Sequence, residues 1–302
     1  MVFVEKYKSK GNIYYRFVHN IRKGKKIIQK KKQIGKILPP KARVEQLKKE
    51  FIKEITEGKY KCVNPKILDL IENKKKDYRK EVKRLSQTEK KKRLKEFIIR
   101  FTYDSSKLSG LDITLRQTSL ILKEGIMPKN ISSLKIAKEL ENHEKGILVI
   151  TKYRGKLDIK FIKKLHKILF SDVDDEIAGK LRSELKRNVK IAGTSYVPPK
   201  WQDIQKELKN FFRWYNSENR KLHPVELAAL IHIKLISIQP FADGNSRLSR
   251  LLMNWVLWKK NYPPVDIPIE DLENYYDVLD KYQIEKKEKS FVNYIIRWFL
   301  KV

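Results

Sequence analysis

Twelve residues near the end of the chain constrain its fold more than any other stretch: Gln239-Pro240-Phe241-Ala242-Asp243-Gly244-Asn245-Ser246-Arg247-Leu248-Ser249-Arg250. An apolar run at helical spacing, 227–238, leads into them, and a second, 248–258, leads out. This pattern predicts two helices joined by a short turn at Asp243-Gly244-Asn245. The start of the second helix presents N–H groups with no partner inside the helix and the positive end of its dipole, which favours phosphate. Arg247 and Arg250, three apart, share one helix face and can grip anionic oxygens. Asp243 repels phosphate unless a cation lies between them, as Mg²⁺ does in nucleotide sites. Together these residues suggest Mg²⁺ and a nucleoside triphosphate. On composition alone the alternative is a capped helix, with Asp243 or Asn245 as N-cap and the arginines as solvated charge.

The stretch resembles the signature of the Fic (Fido) family, His-Pro-Phe-x-Asp-Gly-Asn-Gly-Arg-x-x-Arg, with Gln239 in place of the histidine and Ser246 in place of the second glycine. The resemblance covers roughly residues 97–300. It implies a helical domain that transfers AMP from ATP to a hydroxyl of a target protein. It also implies that Gly244, Asn245, Ser246, Arg247 and Arg250 surround ATP, that Asp243 holds Mg²⁺, and that Phe241 anchors the loop. Position 239 would be the general base. A carboxamide has no basic site near neutral pH, whereas imidazole titrates at about 6.5. Losing a general base removes about 10²- to 10⁴-fold in rate. The expectation is a nucleotide-binding protein with weak or lost transferase activity, a pseudoenzyme. Ser246 is expected either to avoid positive φ or to carry strain.

Two more segments extend the resemblance. Ser105-Ser106-Lys107-Leu108-Ser109-Gly110 is similar to the family's inhibitory helix motif, with Ser109 where a glutamate would pair with the second signature arginine. A hydroxyl carries no charge and cannot make that ion pair. Residues 179–199, turning about Gly193, predict a β-hairpin. It matches the family's flap, where Ile191, Thr194 and Tyr196 would receive a protein target by strand addition.

The remainder reads from composition. With 69 Lys+Arg against 36 Asp+Glu in 302 residues, the net charge of +33 attracts polyanions or acidic partners, unless it is a general habit of a lysine-rich proteome. Alternation predicts strands over 2–8, 13–19 and 25–34, with Gly11 and Gly24 at the turns and Lys30, Lys31 and Lys32 in the third. The expected organisation is a basic three-stranded antiparallel β-meander (1–38), a helical connector (39–96) and a Fic domain (97–302), mainly α overall. The meander resembles basic β-rich leader segments of some transposases. The alternative function is therefore a module binding nucleic acid or a partner through this sheet, with the helical domain as scaffold. Cys62 alone precludes an internal disulfide framework, and the five histidines show no paired metal-ligand spacing. No membrane span or leader is expected, which makes the chain soluble and cytoplasmic in this reading.

Overall fold

A computed structural model describes residues 2–9, 11–23, 26–56, 60, 62–129 and 133–301. It divides into two units, Met1–Lys66 and Ile67–Val302. In the first, β1 (Val2–Ser9), β2 (Asn12–Lys23) and β3 (Lys26–Gly35) form an antiparallel sheet in sequence order. Gly11 turns β1 into β2 with φ 78°, a conformation that needs no Cβ. Gly24 and Lys25, expected at the second turn, lie outside the described residues. Strand alternation places Val2 and Phe17 on a face covered by Phe51 of α1 (Lys41–Thr56), ringed by Ile34, Val44, Leu47 and Ile55. Pro40 starts α1 by accepting from the N–H groups of Arg43 and Val44.

The second unit is helical, as the periodicity predicts. Its elements are α2 (Pro65–Arg84), α3 (Gln87–Lys107), α4 (Leu115–Ser119, continued by a π-helical turn to Glu124), α5 (Leu134–Lys152) and α6 (Ile159–Phe170). They continue with α7 (Arg182–Leu185), α8 (Ile204–Glu218), α9 (Pro224–Ile238), α10 (Asn245–Lys259), α11 (Leu272–Glu285) and α12 (Glu288–Lys301). Because α9 is apolar on nearly every side, it must be enclosed. It packs on α8, α10, α11 and α12, while α10 packs on α3, α5 and α6. Local signals set the ends. Ser86 and Glu89 form a reciprocal capping box on α3. Pro224 occupies the first turn of α9, whose N-cap His223 accepts from the Val225 N–H through Nδ1 at 3.2 Å. His223 therefore carries its proton on Nε2, 3.0 Å from the Glu72 carboxylate of α2. Among the described residues no helix is long and apolar enough to cross a membrane.

The β-hairpin expected within 179–199 needs correcting. The stretch from Arg187 to Lys200 contains no strand; it is an extended loop turning at Gly193 (φ 78°). Side-chain hydrogen bonds tie it down in place of a ladder. Thr194 Oγ1 donates to Asp280 Oδ1 at 2.7 Å, Tyr196 OH to the Ser237 carbonyl at 2.8 Å, and the Trp201 N–H to Asn188 Oδ1 at 2.9 Å. Pro198 and Pro199 offer no N–H to a partner strand.

Candidate functional site

The α9–α10 turn is built by its own side chains. α9 ends on Gln239 in the left-handed region (φ 50°), an uncommon conformation for a residue other than glycine. Gly244, also left-handed at φ 72°, starts α10; a Cβ there would meet the Phe170 ring at 2.4 Å. Asn245 staples the loop. Its Oδ1 accepts from the Phe241 N–H at 3.0 Å, and its Nδ2 donates to the Phe241 carbonyl at 2.9 Å and to Gln239 Oε1 at 2.7 Å. The first three N–H groups of α10, those of Asn245, Ser246 and Arg247, have no acceptor within the helix by construction. Ser246 lies inside this first turn with negative φ, so a side chain there brings no backbone strain.

The two arginines separate. Arg247 is buried, with Nη1 2.7 Å from Glu139 of α5 and its guanidinium 5.0 Å from the Phe170 ring centroid. Asp243 is largely exposed and lies 3.6 Å from Arg247. Arg250 is fully buried and held by neutral groups. Nε donates to Ser105 Oγ at 2.8 Å, Nη1 to Ser246 Oγ at 2.5 Å, and Nη2 to the Ser105 carbonyl at 2.6 Å and Ser109 Oγ at 2.8 Å. Ser109, itself donating to the Ser105 carbonyl at 2.9 Å, thus keeps contact with Arg250 as a neutral hydrogen bond. Burial pushes the Arg250 pKa down, though a guanidinium stays charged at neutral pH.

Beside these residues lies a cleft of about 420 Å³ lined by Gln239, Ser246, Ser109, Tyr275, Ile191 and Thr194, among others. The structure thus brings the loop, the Ser105–Gly110 segment and two of the three expected flap residues to one cavity. Tyr196 lies outside it, lining a neighbouring pocket with Trp214 and Lys234, and burial pushes its hydroxyl pKa up to about 12. Asp243, Arg247 and the buried Arg250 are not among its lining residues.

The comparisons with known proteins bear on this site. The model of the Fic/DOC family matches residues 156–257. Protein adenylyltransferase Fic of Drosophila melanogaster is 36% identical over 211 residues, 67% of this chain and 40% of its own length. A Fic domain-containing signaling protein of Bacteroides thetaiotaomicron superposes with a TM-score of 0.68 at 30% identity, over 78% of this chain and 92% of that one. The chain belongs to the Fic/DOC family. Fic-1 of C. elegans shares the fold at 22% identity, with a TM-score of 0.66 over 87% of this chain and 75% of that one. The chain spans about two fifths of the length of the curated relatives it matches.

Several residues that hold this Fic loop gave no sequence signal. Arg182 is buried and binds four carbonyls: Nε reaches Gln239 at 2.5 Å, Nη2 Pro199 at 2.9 Å and Ile238 at 3.3 Å, and Nη1 Arg187 at 3.3 Å. Its own N–H donates to the Pro240 carbonyl at 2.8 Å. In a chain with 69 lysines and arginines nothing marks it. Glu139 and Asp280 are equally silent, because each acts across elements remote in sequence.

His166 supports the loop rather than reacting. Its Nδ1 accepts from the Gly179 N–H at 2.9 Å, which leaves the proton on Nε2 to donate to the Asp243 carbonyl at 3.0 Å. The ring stacks on Phe241 at 3.8 Å. Burial lowers its pKa from 6.5 to about 4. Between these values the unfolded chain binds a proton that the folded chain refuses, so stability rises with pH across that window. The contribution, about 3 kcal/mol, is complete above the unfolded pKa and lost as pH falls toward the folded one. His166→Gln can make both hydrogen bonds without titrating. Melting curves from pH 7 to about 4.5 are expected to fall less steeply for the variant than for the wild type; parallel curves contradict the assignment.

Proposed function

We propose that this Fic chain binds ATP with Mg²⁺ at the start of α10, and that AMP transfer to a protein hydroxyl is weak or absent because position 239 carries no base. The observation that carries the reading is Gln239 itself, whose Oε1 accepts from Asn245 Nδ2 at 2.7 Å: the amide is held at the base position of the loop, yet no atom of it is basic near neutral pH. Nucleotide binding needs no base. It draws on the α10 N–H groups, the adjacent cleft and Arg250, whose reach to phosphate requires the Ser105, Ser109 and Ser246 hydroxyls to yield. Asp243, an exposed carboxylate beside these groups, fits one ligand position of Mg²⁺, with phosphate oxygens and water supplying the rest. The ion would neutralise phosphate charge. A target segment would lie along the 187–200 loop, past Ile191 and Thr194.

Calorimetry with Mg·ATP tests the binding half. Wild-type protein is expected to bind, and Arg250→Ala to weaken affinity by about 1.5–3 kcal/mol, the range for hydrogen bonds to a charged group. Melting curves of the same samples separate lost affinity from lost fold. Wild type without affinity removes the reading and turns attention to the Ser246 side chain as an obstruction.

A second reading concerns the first unit, where residues 1–66 carry 20 lysines and arginines against five acids. Exposed Lys30 and Lys31 lie on β3, an edge strand, and favour a non-specific nucleic-acid surface.

A further inference from the structure

The second unit has another concavity, formed by different residues from those of the nucleotide cleft. It measures about 710 Å³ and is walled by α2, the start of α3, the residue after the α5 cap and the end of α10. Six cations line it: Lys76, Arg79, Lys80, Lys83, Lys90 and Arg154, with no carboxylate in the lining. Lys80 reaches Asp77 at 3.7 Å at the exposed surface. Among the described residues the other five make no ion pair. The crowding registers on neighbours: burial lowers the Lys75 pKa, Glu72 opposes it, and Arg79 and Lys260 lower it further, while Lys260 and Arg154 add to the lowering that burial causes at Lys259.

The groove is also aromatic. Tyr78 and Trp258, both half-buried, line it, and Trp258 is fixed edge-on to Phe97 with centroids 5.4 Å apart. Both rings are shared with an adjoining cavity of about 250 Å³ walled by Leu85, Leu94, Phe97, Pro263 and Pro264. Cations spaced along a channel, beside ring faces and an apolar slot, are what a strand of phosphates with unstacked bases requires. An acidic peptide would use the charge and leave the rings idle.

We infer that this groove binds single-stranded nucleic acid, its cations tracking the phosphates while Tyr78 and Trp258 stack bases that enter the apolar slot. The inference is independent of ATP binding and of the first unit's sheet. Five cations free to meet phosphates imply that affinity for a single strand falls by about 100-fold between about 50 and 200 mM salt.

The test is fluorescence anisotropy of a labelled oligodeoxythymidine on the full chain, in wild type, Arg79→Glu/Lys83→Glu and Lys30→Glu/Lys31→Glu. Arg79 and Lys83 are exposed and four apart on α2, so reversing them is expected to leave the fold intact, which melting curves of the same samples check. The groove variant is expected to lose at least about tenfold in affinity and to show a shallower salt slope. Unlabelled strand is expected to compete better than duplex DNA, polyphosphate or polyglutamate of equal charge. The inference is overturned if wild type does not bind at low salt, or if only the Lys30/Lys31 variant loses binding. It is equally overturned if the base-free polyanions or the duplex compete as well as the strand, since the aromatic faces then recognise nothing.

Discussion

Gln239→His combined with Ser246→Gly is expected to raise AMP transfer by about 10²- to 10⁴-fold over wild type, the contribution of a positioned general base. The backbone already suits the change. Position 239 is left-handed at φ 50°, a region where histidine is better tolerated than most side chains. Asn245, which now holds the Gln239 amide at 2.7 Å, stays available to orient an imidazole. Ser246→Gly removes the hydroxyl that receives Arg250 Nη1 at 2.5 Å, freeing one arm of the guanidinium for phosphate. Adding Ser109→Glu should suppress the gain. Ser109 Oγ stands 2.8 Å from Arg250, so a carboxylate there is placed to form a charge-assisted pair that competes with phosphate. Labelled ATP and a denaturing gel read all three proteins. Labelling that is equal in wild type and the double variant removes Gln239 as the reason for inactivity.

Arg182→Ala is expected to cost about 3 kcal/mol of stability and to abolish nucleotide binding. The guanidinium is buried and satisfies the carbonyls of Gln239, Ile238, Pro199 and Arg187, which joins the signature loop to both ends of the extended loop. Removing it strands several acceptors away from water, each worth about 1–3 kcal/mol before relaxation. Arg182→Lys is expected to recover less than half of the loss, because one ammonium cannot span acceptors placed around a planar fork. Denaturant melts of the three proteins measure this. A wild-type-like Arg182→Ala melt shows that the loop is held by Asn245 and His166 alone.

These two expectations also mark what could be read from the chain itself. The α9–α10 pair was legible because a dominantly apolar run, 227–238, broken only by His232, Lys234 and Ser237, must hide nearly every side, and the glycine turn sits beside it. The basic sheet was legible because three strand-length runs follow one another with glycines between them, although Phe17 and Val18, on opposite faces of β2, are both buried. The loop at 187–200 was not. Its residues have strand-like composition, but Thr194 and Tyr196 find their partners at Asp280 and Ser237, which no local pattern discloses. The contact of Ser109 with Arg250 was hidden for a related reason. The loss of the ion pair follows from the residue type, whereas the surviving hydrogen bond depends on how closely α3 approaches α10.

The central claim is that the cleft takes a nucleotide while the chemistry is missing, and one measurement separates the two. Wild-type protein is mixed with stoichiometric α-labelled ATP and Mg²⁺, passed rapidly through a desalting column, and then denatured. The account predicts that label co-elutes with the native protein and is released on denaturation as intact ATP, with none covalently attached. Label that remains on the denatured wild-type chain as AMP, or label that never co-elutes, contradicts it.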